Sequence, residues 1–119
     1  MKPQFIIGAA SSGSGKTTFT MGLLRALAHR GMRVQPYKCG PDYIDTQFHS
    51  LASKQVSVNL DTWLASEEHV RSLYHSYGKD ADVCTVEGVM GLYDGYSGMK
   101  GSSAAMAALL DIPVILLVN

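Results

Sequence analysis

The residues best suited to chemistry stand close together near the amino terminus, in Ile6-Ile7-Gly8-Ala9-Ala10-Ser11-Ser12-Gly13-Ser14-Gly15-Lys16-Thr17-Thr18. An apolar run leads into a turn of small residues, and a lysine and two threonines follow where a helix can start. Small residues suit a polyphosphate because backbone N–H groups converge on it only where no Cβ crowds the turn. Gly13 and Gly15 supply that freedom, flanked by Ser12 and Ser14. The helix that follows adds unpaired N–H groups and the positive end of its dipole. Lys16 can reach the β and γ phosphates, the Thr17 hydroxyl can ligate Mg²⁺, and Thr18 completes the set expected to bind the nucleotide. Ala10 stands where the phosphate-loop pattern usually has glycine, a mild departure since alanine is the next smallest residue.

Such a loop works only between a strand and a helix. Gln4 to about Ala9 reads as the strand. Lys16 to about His29 reads as the helix, with Phe19, Leu23, Leu24 and Leu27 on one face and Gly31 ending it. Val34 to Lys38 reads as a second strand, closing a βαβ unit. The polar run from Cys39 to His49 is expected to be a loop at that strand's carboxyl end, where open α/β sheets place their ligands. Residues 50–66 are ambiguous, with turn chemistry in Asn59-Leu60-Asp61-Thr62 and with Trp63 and Leu64 expected against the core. Ser66 caps a helix carrying Val70, Leu73, Tyr74 and Tyr77 as an apolar stripe. Asp82 to Glu87 is a further strand, Gly88 to Gly101 a glycine-punctuated loop, and Ser102-Ser103 the cap of a small-residue helix to about Leu110. The apolar run Pro113 to Val118 is expected to be a strand buried on both faces. The fold class is therefore α/β, a mostly parallel sheet flanked by helices and built around a phosphate loop, incomplete at its carboxyl end.

Three acids follow predicted strands on the edge that carries the phosphate loop: Asp42, Glu87 and Asp94. Mg²⁺ on a nucleotide keeps several waters and takes one or two carboxylates, so two of these with Thr17 suffice. Asp42 and Glu87 are the metal candidates. Lys38, at a strand end, can neutralise a transferring phosphoryl group or hold a substrate carboxylate.

Composition narrows the rest. The 119 residues are 46% hydrophobic and 17% charged, with ten basic and ten acidic side chains. That balance is ordinary for a globular domain and offers no basic footprint for nucleic acid. No apolar run approaches the ~20 residues that span a bilayer, and Met1-Lys2-Pro3-Gln4 lacks the pattern of a signal peptide, so a cytoplasmic location without membrane contact is expected. Cys39 and Cys84 lie far apart without a paired motif and read as core residues.

Three motifs together make the pattern specific: Ser-Ser-Gly-Ser-Gly-Lys-Thr-Thr at 11–18, Lys-Cys-Gly-Pro-Asp-Tyr-Ile-Asp at 38–45 and Glu-Gly-Val-Met-Gly-Leu-Tyr-Asp-Gly at 87–95. They resemble the ATP-binding half of the cobyrinic acid a,c-diamide synthase family, and the resemblance runs over essentially the whole chain. It implies a dethiobiotin synthetase-like fold and ATP-dependent amidation of corrin acetate side chains, with ammonia drawn from glutamine. It also implies that Lys16 and the loop amides hold ATP, that Thr17, Asp42 and Glu87 surround Mg²⁺, and that Lys38, Tyr43, Asp45 and Asp94 lie toward the corrinoid and the transferring phosphoryl group. Under this resemblance residues 1–119 form the amino-terminal part of the synthetase domain, the family's carboxy-terminal glutaminase domain is not among them, and a homodimer remains open. Thr46 departs from the family, which commonly has proline there. Dethiobiotin synthetase, other tetrapyrrole amidases and switch ATPases like ParA and MinD are the alternatives. The last place a signature lysine where this chain has Ser11.

Overall fold

Residues 2–10, 15–40, 43–89, 91–95 and 101–118 are described by the computed structural model, the side chains of 43–45 excepted. Along the chain run β1 (Gln4–Ala9), α1 (Lys16–His29), β2 (Val34–Cys39), α2 (Tyr43–Ser53), β3 (Val58–Leu60), α3 (Glu67–Gly78), β4 (Val83–Glu87), α4 (Ser103–Leu110) and β5 (Val114–Leu117). The strands form one sheet in the order β3-β2-β4-β1-β5, and every neighbouring pair is parallel. Parallel strands need crossovers, and the helices between them provide these. β1 and β2 do not touch, because β4 lies between them.

Alternation along the strands sorts side chains onto two faces. Ile6, Tyr37, Val86 and Cys84 pack with Val70, Tyr74 and Met106 of α3 and α4. Val34 and Val83 pack on the other face with Leu24 of α1 and Ala52 of α2. Tyr37 and Tyr74 lie with ring centroids 4.7 Å apart, and the Tyr37 hydroxyl donates to the Tyr74 carbonyl at 2.6 Å. Pro36 cannot donate a ladder hydrogen bond, yet sits inside β2, in register with Thr85 of β4, while the pairing with β3 starts only at Tyr37.

Several sequence expectations change. The run Cys39 to His49 is not a loop throughout, since α2 begins at Tyr43. Its buried residues include Thr46, His49, Ala52 and Ser53, whereas Phe48 is 47% and Leu51 73% exposed. A helix that buries its polar side and exposes apolar residues defeats an apolar-periodicity search. Asn59 and Leu60 belong to β3 rather than to a turn, a strand of three residues too short to show alternation. Trp63 and Leu64 are exposed and do not dock on the core. Tyr77 is likewise half exposed, so the stripe of α3 narrows to Val70, Leu73 and Tyr74.

β5 pairs with β1, and its Val114, Ile115 and Leu116 are 38–46% exposed, against the expectation of burial on both faces. Among the described residues β5 has one neighbouring strand, β1. Among the described residues no helix is long and apolar enough to cross a membrane.

Candidate functional site

The sheet register lines up the site. Asn59, Lys38, Glu87 and Ile7 are consecutive partners across β3, β2, β4 and β1, one row near the carboxyl ends of the strands. Partners in register point to the same face, so Asn59, Lys38 and Glu87 share one side of the sheet, the side covered by α1 and α2. The loop after β1 opens at the same end.

At that loop, Gly15 is the N-cap of α1 with φ 81, a left-handed conformation that costs glycine nothing and other residues strain. It brings no side-chain cap and α1 has no acid in its first turn, so the first-turn N–H groups and the positive dipole end stay suited to an anion. Lys16 and Thr17 occupy that turn, Thr17 and Thr18 being exposed and Lys16 half-buried. Thr20 Oγ1 donates back to the Lys16 carbonyl at 2.8 Å. Ser12, Gly13 and Ser14 of the expected phosphate loop lie outside the described residues, as does Asp42. Tyr43 and Asp45 open α2, and their side chains are not described.

Lys38 and Glu87 form the centre. Both are buried, and Lys38 Nζ donates to Glu87 Oε2 at 2.7 Å and to the Gly88 carbonyl at 3.0 Å. The other carboxylate oxygen, Glu87 Oε1, lies 2.9 Å from His49 Nε2. A carboxylate only accepts, so Nε2 carries the proton in this contact. Nδ1 lies 3.3 Å from Ser57 Oγ. Burial pushes the Glu87 carboxyl up, but the His49 hydrogen bond and the charge and hydrogen bond of Lys38 outweigh it and hold the carboxyl down at about 2. Glu87 is therefore an ionised group inside the protein. His49 was missed as a functional candidate because a lone histidine in a polar run carries no spacing signal; only the fold of α2 aims it at Glu87.

Gly88 makes the close approach possible. A Cβ there would overlap Ser103 Oγ and lie 2.9 Å from the Ile7 carbonyl. With hydrogen in that place, Gly88 N donates to Ile7 O at 2.8 Å, and Ser103 Oγ accepts from Val89 N at 2.9 Å. The end of β4 is thereby clamped between β1 and the start of α4. Asp94 sits in the next turn, exposed, with Oδ2 accepting from Gly91 N at 3.2 Å. That turn is tied to the strand before the phosphate loop, because Leu92 N donates to Ala9 O at 2.8 Å. Lys38, Glu87 and the carboxyl end of β1 are thus brought to one edge, with Asp94 on a turn anchored beside them.

Other expectations on single residues also find their place. Cys39 and Cys84 are buried, and burial pushes the Cys39 thiol up to about 12 and raises Cys84, settings unsuited to a nucleophile. Asp61 Oδ1 accepts from Trp63 N at 2.9 Å, whereas Oδ2 is buried without a partner. A cavity of about 340 Å³ lies between α3 and α4, lined by Thr62, Ser66, Glu67, Ala105, Met106 and Leu109. It lies across the sheet from Lys38 and Glu87 and is not part of their site.

The geometry suits a bound polyphosphate beside a buried charged cluster, and comparison with known proteins agrees. Residues 5–118 match the family described as CobQ/CobB/MinD/ParA nucleotide binding domain. Cobyrinate a,c-diamide synthase from Dehalococcoides mccartyi (strain CBDB1) is 52% identical over 98% of this chain and 26% of its own length. Hydrogenobyrinate a,c-diamide synthase from Streptomyces coelicolor is 49% identical over 98% of this chain and 24% of its own. The chain thus spans about a quarter of the length of the curated relatives it matches. Among solved structures, the signal recognition particle receptor FtsY from Elizabethkingia anophelis in complex with GDP aligns with a TM-score of 0.59 at 17% identity, covering 98% of this chain and 40% of its own. Chloroplast FtsY from Physcomitrella patens gives 0.57 at 16% identity. These two share the fold, a parallel sheet with flanking helices. The chain belongs to the CobQ/CobB/MinD/ParA nucleotide-binding domain family.

Proposed function

We propose that this chain is the ATP-binding part of a glutamine-dependent amidotransferase that amidates the a and c acetate carboxylates of a corrinoid, cobyrinate or its hydrogeno form. The observation that carries the reading is the identity of about half over nearly the entire chain with proteins named for that reaction. A carboxylate is a poor acyl donor. Transfer of the γ-phosphoryl group of ATP to its oxygen releases ADP and leaves an acyl phosphate; ammonia then adds to the carbonyl carbon, the C–O bond to phosphate breaks, and amide and inorganic phosphate result. Such chemistry rests on positioning and charge stabilisation.

In this reading the amides of residues 12–15 and Lys16 hold the phosphates, with Thr17 and Thr18 in the first turn of α1. Thr17, Asp42 and Glu87 hold Mg²⁺. Mg²⁺ takes most of its ligands from phosphate and water, so few protein groups are needed to hold it. Glu87 fits because it is ionised and its two described hydrogen bonds use only part of its acceptor capacity. Bound Mg²⁺ would neutralise charge on the phosphates. Lys38 stabilises the transferring group from the side of β2, and Tyr43, Asp45 and Asp94 face the corrinoid. Ammonia comes from a glutaminase domain of the same protein.

The full-length protein with cobyrinic acid, ATP, Mg²⁺ and glutamine should yield a product whose mass corresponds to two carboxylates converted to amides. A corrinoid of unchanged mass beside steady ATP hydrolysis would favour a switch ATPase instead.

A further inference from the structure

His49 has no task in the reading above, yet the structure builds a setting for it. It lies in the inner half of α2, fully buried, with both ring nitrogens engaged: Nε2 on Glu87 and Nδ1 facing Ser57. Ser57 is itself held, because its N–H donates to Ser50 Oγ at 2.9 Å and Ser50 Oγ in turn donates to the Thr46 carbonyl at 2.8 Å. A chain of contacts therefore runs from the α2–β3 connection through the imidazole to the carboxylate at the end of β4. The terminal torsion of a glutamate is soft and has no sharp minimum. A single partner, Lys38 on Oε2, leaves the plane of the carboxylate undetermined. A second donor on Oε1 fixes it.

Stability does not call for this arrangement. Replacing buried ion pairs by apolar residues of like volume is often neutral or stabilising, so an ionised glutamate, a lysine and a histidine packed at one strand end point to a role outside folding. Their location, on the carboxyl edge of the sheet beside the end of β1, says where.

We propose that His49 is a positioning residue that holds the Glu87 carboxylate in the orientation in which it meets the divalent cation of the bound nucleotide. The inference rests on the assignment of Glu87 to the nucleotide site made above. His49 itself touches neither nucleotide nor cation; it acts through Glu87, as outer partners of metal-binding groups generally do.

The test uses the full-length protein and Mn²⁺ as a paramagnetic probe, with electron paramagnetic resonance reporting Mn²⁺ bound together with ADP. His49→Leu should weaken Mn²⁺ binding about tenfold or more, the range seen when an outer partner is removed, and leave ADP binding without a cation unchanged. His49→Gln, whose amide nitrogen reaches the position of Nε2 and can donate to Oε1, should restore most of the affinity. His49→Asn, whose shorter amide reaches only the position of Nδ1, should not. Equal Mn²⁺ affinity in wild type and His49→Leu, with only a lower melting temperature, would overturn the proposal and make the histidine structural. If His49→Leu does not fold, Gln and Asn decide: Gln near wild type and Asn weak supports the proposal, and equal affinities overturn it. Wild-type protein that binds ADP but no Mn²⁺ with it would overturn the assignment of Glu87 and this inference together. An intact cation response in wild type that is insensitive at His49 would overturn the inference alone.

Discussion

Glu87 is buried between Lys38 on one carboxylate oxygen and His49 on the other. Its carboxyl is held at about 2 against an ordinary value of 4.5, the His49 and Lys38 interactions outweighing the cost of burial. A depressed folded-state pKa means that the unfolded chain takes up its proton first as pH falls. The stabilisation from Glu87 is therefore complete above about 4.5 and is lost as pH drops from there toward about 2. Thermal melts across that window should show a steeper acid loss in wild type than in Glu87→Gln, since other carboxylates titrate alike in both. At neutral pH the same substitution should cost about 3–5 kcal/mol, because it breaks a buried, hydrogen-bonded charge pair by removing one partner. Denaturant unfolding at neutral pH checks that figure, and a loss below 1 kcal/mol would mean that Lys38 is satisfied without Glu87.

Elements decide how close these groups come. Gly88→Ala places a methyl where Ser103 Oγ sits and 2.9 Å from the Ile7 carbonyl, so β4 and α4 must separate. A loss of about 1–3 kcal/mol is expected, the usual cost of overpacking. Gly22 provides the contrast. It lies in exposed helix with nothing near the place of a Cβ, and Gly22→Ala should stabilise by about 0.5–1 kcal/mol by removing glycine's helix penalty. Opposite signs in the two unfolding curves check both.

The same scale shows what could be read from the residues alone. β1, α1, β2 and β4 were legible because apolar runs and the Gly-Lys-Thr signal agree with the final structure. α2 was not, since its inner side carries Thr46, His49 and Ser53 while Phe48 and Leu51 face solvent. β3 is too short for a pattern, and what defines it is pairing with Tyr37, Lys38 and Cys39. Lys38 and Glu87 could be singled out as strand-end charges, but their contact follows from β4 lying beside β2, a neighbour relation that a linear reading does not contain. His49 depended on both hidden features at once.

At the scale of the whole molecule, the chain is a nucleotide-binding family domain in which one sheet edge gathers the carboxyl end of β1, the row of Lys38 and Glu87, and the turn bearing Asp94. Nucleotide affinity should hinge on the phosphate loop that follows β1. Lys16→Ala should remove most of the calorimetric signal for ATP with Mg²⁺, whereas equal affinity in both proteins would place the nucleotide elsewhere. In the proposed reaction the phosphoryl group goes from ATP to a corrinoid carboxylate before ammonia arrives. The most direct measurement uses cobyrinic acid labelled with ¹⁸O in its acetate carboxylates, turned over by the full-length protein with ATP and glutamine. Breaking the C–O bond of an acyl phosphate must carry a labelled oxygen into inorganic phosphate, one for each amide formed. Amide formation with unlabelled phosphate, or phosphate release without amide, would contradict the account.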